Sequence, residues 1–313
     1  MTPSRSLIAL LATSAIGVTP VFAIVAERAP SRFDRLVIIE PAAQLGTVAE
    51  TPESLPGFDA ERAGWEAFRK ESGGQWSVHI DRRSGAPLLV EGSGIHLFPA
   101  EGAAPTLPAV ESLVRDFVTR HESLFKIRNA EMVLAPDGSG PVDKDHWVLL
   151  FTRRIGGVPV DGERLLVDVT RGNLVAFGAD RWGVVASVPV ERYDAATARQ
   201  VLIGYMGLIP SDRVEWIDPG TKLLGAEPST PGSDGRYMGP VGEGIAYHLA
   251  YRFVLRVAGE PGTWAGQVDA TTGQVLSFLD DSKYAQVQGG VYPVSDDQLC
   301  PDGCEQPKWP IGK

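Results

Sequence analysis

The stretch Arg153–Asn173, "RRIGGVPVDGERLLVDVTRGN", decides how the chain is read. Gly156, Gly157 and a Val158-Pro159-Val160 step stand ahead of an alternating Leu165, Val167 and Val169, and the chain turns again at Arg171-Gly172-Asn173. Apolar residues with a period of two mark a strand with one buried face. Gly156, Gly157 and Gly162 let the backbone turn without a side-chain clash. Pro159 fixes φ and has no N–H, so it belongs at a strand start or a sheet edge. The stretch is therefore two strands around a tight loop. Just before it, "HWVLLFTRR" alternates Trp147, Leu149 and Phe151, and "NLVAFGADRWG" follows it. Consecutive short strands joined by glycine turns form an antiparallel meander.

A helix precedes the meander. Pro108 suits a first helical turn, and Val110, Leu113, Val114, Phe117, His121, Leu124 and Phe125 recur at helical spacing. Glu111, Arg115, Asp116 and Arg120 take the opposite side, which leaves one apolar face for a sheet. His121 lies toward that face, where a hydrogen-bonded core histidine is the favoured reading over a ligand. The order then recurs. Asp194 is placed to cap a helix through Ala198, Val201, Leu202 and Tyr205 that stops at Gly207. A Pro/Gly-rich insertion starting at Asp218 leads to the strands "AYHLAYRFVLRV", "GTWAGQVDA" and "GQVLSFLD". Helix-then-strands thus occurs twice, at residues 107–186 and 192–280, as a diverged duplication would leave it. Ahead of both, residues 24–60 read as an extended leader, Trp65 and Phe68 as a short amphipathic helix, and residues 75–91 as a β-hairpin turning at Arg83-Ser84-Gly85.

Hydrophobic residues make up 43% of the 313, enough for real cores, and the length suits two domains. The net charge of −10 argues against a nucleic-acid partner. The start, "MTPSRSLIALLATSAIGVTPVFA", combines Arg5, a short apolar run and a small residue at Ala23. This is a secretory signal pattern with cleavage after Ala23. The run is too short to span a membrane, so the chain reads as secreted, extracellular or periplasmic, without a membrane anchor.

No catalytic constellation is recognised. The histidines at 79, 96, 121, 146 and 248 include no H-E-x-x-H pair, and no P-loop, dinucleotide fingerprint or G-x-S-x-G occurs. The expectation is no catalytic residue, no metal and no cofactor within the chain.

"HWVLLFTRRIGGVPVDGERLLVDVTRGNLVAFG" resembles the propeptide segment of fungalysin and thermolysin-type metalloproteases, with the step Gly157-Val158-Pro159-Val160 and the turn at Gly172. "AYRFVLRV…GTWAGQVDATTGQVLSFLDD" resembles the PepSY-type module that follows in those precursors, through Tyr251, Trp264, Val268-Asp269-Ala270, Gly273 and Val275. The resemblance covers about residues 100–283. It implies an α+β fold of two tandem helix-on-antiparallel-sheet, cystatin-like modules, with the hairpin as an N-terminal extension. The division expected is 1–23 signal peptide, 24–99 leader and hairpin, 100–190 first module, 191–283 second module, and 284–313 the opening of a following domain. Functionally it implies an intramolecular inhibitor and folding assistant whose partner is a cognate secreted zinc metalloprotease domain. Asp280, Asp281, Ser282 and Lys283 would then form the exit segment where processing occurs.

Cys300 and Cys304 are the two cysteines. An oxidising compartment favours a disulfide between them, since a metal would need more ligands than the neighbourhood holds. A full precursor continues to zinc-binding helices, whereas this sequence stops at "KWPIGK", which reads as a fragment. Two other readings stand beside the propeptide: a stand-alone secreted protein-binding module, and the N-terminal part of a large secreted or surface protein.

Overall fold

The computed structural model describes residues 29–39, 49–100, 105–228 and 237–282. Their elements lie in the unit Pro30–Ser282. The fold is α+β: three α-helices and a large curled mixed sheet of 12 strands among the described residues. In chain order the elements are β1 (Ala49–Glu50), α1 (Asp59–Glu71), β2 (Trp76–Asp81), β3 (Pro87–His96), α2 (Leu107–Phe125), β4 (Met132–Leu134), β5 (Gly140–Pro141), β6 (His146–Ile155), β7 (Val158–Thr170), β8 (Asn173–Asp180), α3 (Ala195–Met206), β9 (Val214–Pro228), β10 (Ile245–Val257), β11 (Trp264–Asp269) and β12 (Val275–Asp280).

The main path through the sheet is β1-β2-β3-β8-β7-β9-β10-β11-β12, and β6 pairs with β7 while carrying β4 and β5. All strand pairs are antiparallel except one rung, Val160 to Leu224, where β7 runs parallel to β9. That rung joins two halves. From Arg164 to Thr170, β7 lies between β6 and β8, whereas its first residues meet the tip of β6 and then β9. The β6–β7 hairpin turns at Gly156 and Gly157, with φ of +56° and +84°. This is the doubly left-handed geometry of a two-residue hairpin, for which glycine carries no Cβ penalty.

Each half has its own hydrophobic core. In the first, α1 and α2 cover one sheet face, and Trp65, Phe68, Trp76, Phe117, Phe125 and Phe177 form its aromatic centre. The N-terminal hairpin and α1 are part of this cluster, because β3 pairs directly with β8. His121 is half-buried among Phe68, Phe117 and Phe125, with ring centroids 5.1–5.4 Å away. Burial lowers its pKa.

In the second core, α3 lays Ala198, Leu202 and Met206 against Phe253, Trp264 and Phe278. The helix begins as the sequence predicts: Asp194 accepts a hydrogen bond from the Thr197 N–H at 2.8 Å, and Gly207 ends it in the left-handed conformation. Trp264 and Phe278 stack at 5.1 Å, and Phe33 of the leader closes on Trp264 edge-on at 5.4 Å. The segment around Phe33 is therefore docked on the second core, where Glu260, 229 residues along the chain from Ser31, accepts a hydrogen bond from the Ser31 hydroxyl at 2.7 Å. Ile38 adds two backbone hydrogen bonds, of 2.8 and 2.9 Å, to the Phe278 edge of β12.

The Pro/Gly-rich insertion divides differently from its sequence reading. Residues 214–228 form β9, which pairs with β10 from Val214–Val257 to Pro228–Ile245. Pro219 and Gly220 fall where the register shifts, so they lose no regular rung. Beyond them Leu224 reaches the core, and Lys222 and Glu227 keep to its margins. Turn-rich composition hides the alternation.

Candidate functional site

The residues singled out by sequence fall in three places. Val158 and Val160, the apolar members of the Gly157-Val158-Pro159-Val160 step, pack into the second core, in the same cluster as Trp264. Gly172 makes the β7–β8 turn at φ +73°, where an added Cβ would lie 1.9 Å from the Phe98 carbonyl oxygen. Asp269 and Gly273 build the β11–β12 turn: one Asp269 oxygen accepts the Thr271 and Thr272 N–H groups at 2.7 Å each, and the Gly273 N–H returns to the Asp269 carbonyl at 2.9 Å. Asp280 and Ser282 both accept from the Thr263 N–H, and Asp281 pairs with Arg252 at 3.3 Å, so the start of the exit segment is fastened to β10 and β11. Ala23, Lys283, Cys300 and Cys304 lie outside the described residues.

The most unusual polar arrangement is one that sequence motifs do not announce. At the junction of the halves, Arg153 of β6 and Glu163 of β7 are both buried, at 3% and 1% exposure. Buried charges are rare unless paired and fully hydrogen-bonded. The Arg153 guanidinium donates to Glu163 at 2.8 Å, to Glu131 at 2.7–2.8 Å and to the Gly183 carbonyl at 2.7 Å. It also lies 5.0 Å over the Trp182 ring. The Tyr247 hydroxyl, from β10 of the other half, donates to Glu163 and accepts from the Gly183 N–H at 2.9 Å. A second weak acceptor, the Arg181 carbonyl, is 3.4 Å from the same hydroxyl.

Burial raises the Glu163 carboxyl to about 7, against the lowering pull of Arg153 and Tyr247. For Arg153 burial works the other way, but the facing carboxylates outweigh it and hold the guanidinium charged. Burial, and then Glu163, pushes the Tyr247 phenol above its ordinary value. The physical reason is burial: out of water the neutral carboxyl is favoured, and the hydrogen bonds and charge of Arg153 and Tyr247 offset this only in part. The alternation holds a signal for this cluster. Arg153 continues the parity of Trp147, Leu149 and Phe151, and Glu163 that of Leu165, Val167 and Val169, so both point inward.

Among the described residues no group of three or more His, Cys, Asp or Glu is placed to hold a metal ion, and no helix is long and apolar enough to cross a membrane.

No family model matches the chain. It is 27% identical over 192 residues to the thermostable neutral protease NprT of Geobacillus stearothermophilus, an alignment covering 58% of this chain and 32% of that protein. The chain therefore has distant, partial similarity to a protease and spans about a third of that relative's length. Among solved structures, the Bacillus megaterium YpeB C-terminal domain aligns over 68% of this chain and 80% of its own, at 14% identity and a TM-score of 0.30.

Proposed function

We propose that this chain is a propeptide-type inhibitor and folding assistant of a secreted zinc metalloprotease and performs no catalysis itself. The observation that carries the reading is the 192-residue similarity to a neutral protease. The ordered Gly157-Val158-Pro159-Val160, Gly172, Trp264, Asp269 and Gly273 motifs add to it. In this reading residues 100–190 and 191–283 are two tandem cystatin-like modules, behind a signal peptide cleaved after Ala23, and the leader and N-terminal hairpin add residues to their cores. The partner is the cognate protease domain, in cis or in trans. The inhibitory surface is the sheet of the second module together with the exit segment from Asp280 to Lys283.

A covalently attached inhibitor works at high effective concentration, so a modest interface is enough to occlude a cleft, and cutting the exit segment converts it to one that dissociates. The chain, added at micromolar concentration to a thermolysin-type neutral protease, is expected to slow peptide hydrolysis. It is also expected to raise the yield of active enzyme when that protease is refolded with it. Unchanged peptidase rates and unchanged refolding yield would overturn the reading.

A further inference from the structure

We propose that the Arg153–Glu163–Tyr247 cluster is a proton-operated latch between the two cores: with a proton on Glu163 the halves are tied together, and loss of that proton loosens the junction. The proposal goes beyond the propeptide reading and does not depend on it.

The geometry carries it. The cluster draws on both halves: Arg153, Glu163, Glu131 and the Trp182–Gly183 backbone come from the first, and Tyr247 from β10 of the second. Hydrogen bonding closes in either protonation state. With Glu163 ionised, the Tyr247 hydroxyl donates to it. With Glu163 protonated, its new O–H donates to the Tyr247 oxygen, and the Tyr247 proton turns to the Arg181 carbonyl at 3.4 Å. Protonation thus reverses one hydrogen bond and leaves no polar group orphaned. Charge does not close equally well. Arg153 alone faces Glu131 and Glu163, and the cation beyond them, Arg128, reaches only Glu131, at 3.4 Å. Glu163 itself is 1% exposed, so its ionised form has lost its water and shares Arg153 with Glu131, and a proton removes that buried charge.

Other charged groups near Glu163 are engaged elsewhere. Arg181 pairs with Asp180, and Asp161 accepts from Gln267 at 3.4 Å. On the solvent side a groove of about 270 Å3, lined by Lys126, Arg128, Glu131 and Arg153 among others, brings water to the Glu131 end of the cluster.

The test uses the full chain. Urea unfolding is followed from pH 4.5 to 8 for the natural protein and for Glu163→Gln, a neutral isostere of the protonated form. The ratio of the two unfolding constants is expected to change on the order of 100-fold across that range, with the natural protein losing ground as pH rises. Amide exchange at Gly183, whose N–H donates to Tyr247, is expected to accelerate beyond its intrinsic pH dependence in the natural protein only. Should Glu163→Gln fail to fold, carbon-13 labelling of glutamate carboxyls in the natural protein gives the answer directly. One resonance titrating near neutrality, and displaced in Tyr247→Phe, supports the latch. Parallel pH profiles for protein and variant, or every glutamate titrating in the ordinary carboxylate range, would overturn it.

Discussion

The two halves bury aromatic rings in different ways. In the first, α1, α2 and the strands they cover supply Trp65, Phe68, Trp76, Phe117, Phe125 and Phe177 as one contiguous set, drawn from two helices and two strands. In the second, a single helix covers the sheet, and the stacked Trp264–Phe278 pair is completed by Phe33 from the far end of the chain. Phe68 meets Phe177 and β3 pairs with β8, so the first core also closes a long loop. The second closes a longer one, from Phe33 to Trp264, and the entropic cost of closure grows only slowly with length. What differs is the residue that completes each core, so removal of the segment around Phe33 should loosen the second core and leave the first in place.

The largest effect is expected in the first core. Phe125 is fully buried against Trp65 and Phe177, so Phe125→Ala should cost about 4 kcal/mol. That is a large share of a typical domain's stability, and urea unfolding by circular dichroism measures it. Phe33→Ala should cost about 3 kcal/mol and sharpen the comparison, because the loss should show first in the fluorescence of Trp264 while first-core probes keep their midpoint. Equal movement of both sets of probes would mean that the halves unfold as one unit.

The pH dependence comes next. The folded Glu163 carboxyl, at about 7, lies above its unfolded value of 4.5, so its contribution is fully present below pH 4.5 and is lost as pH rises to about 7. The span corresponds to about 3 kcal/mol as an upper figure. His121 and His248, whose pKa values burial lowers, act with the opposite sign on acidification, so the Glu163 contribution is read as the difference between protein and Glu163→Gln at each pH. Gly172→Ala should cost about 2 kcal/mol, since its Cβ would collide with the Phe98 carbonyl at a left-handed φ, and thermal unfolding checks it. Asp194→Ala should have the smallest effect, seen as faster amide exchange at Thr197 with little change in global stability.

Elements whose signals are local are legible in the amino-acid pattern. The meander β6–β7–β8 follows from period-two alternation and glycine turns, α2 from its apolar stripe behind Pro108, and α3 from Asp194 and Gly207. The helix α1 extends further toward the N-terminus than its pattern suggests, because its first turn, Asp59–Ala63, holds no apolar stripe of its own. The strand β9 reads in sequence as an insertion, since Pro219 and Gly220 mask an alternation that only pairing with β10 makes consistent. The polar junction is half legible: the parity of β6 and β7 aims Arg153 and Glu163 inward, but charge within a strand ordinarily means a solvated face.

Local chemistry is enough to set the identity and order of the elements with self-contained patterns, because periodicity, capping and turn preferences act over a few residues. Long-range packing alone decides that Phe33 completes the second core, that the Arg82-Arg83-Ser84 hairpin tip is buried against the loop at Gly239–Gly244, and that Arg153, Glu163 and Tyr247 meet. Each of these joins groups separated along the chain, and no local preference favours them. They hold because burial leaves every charge and every ring only the partner the fold brings to it.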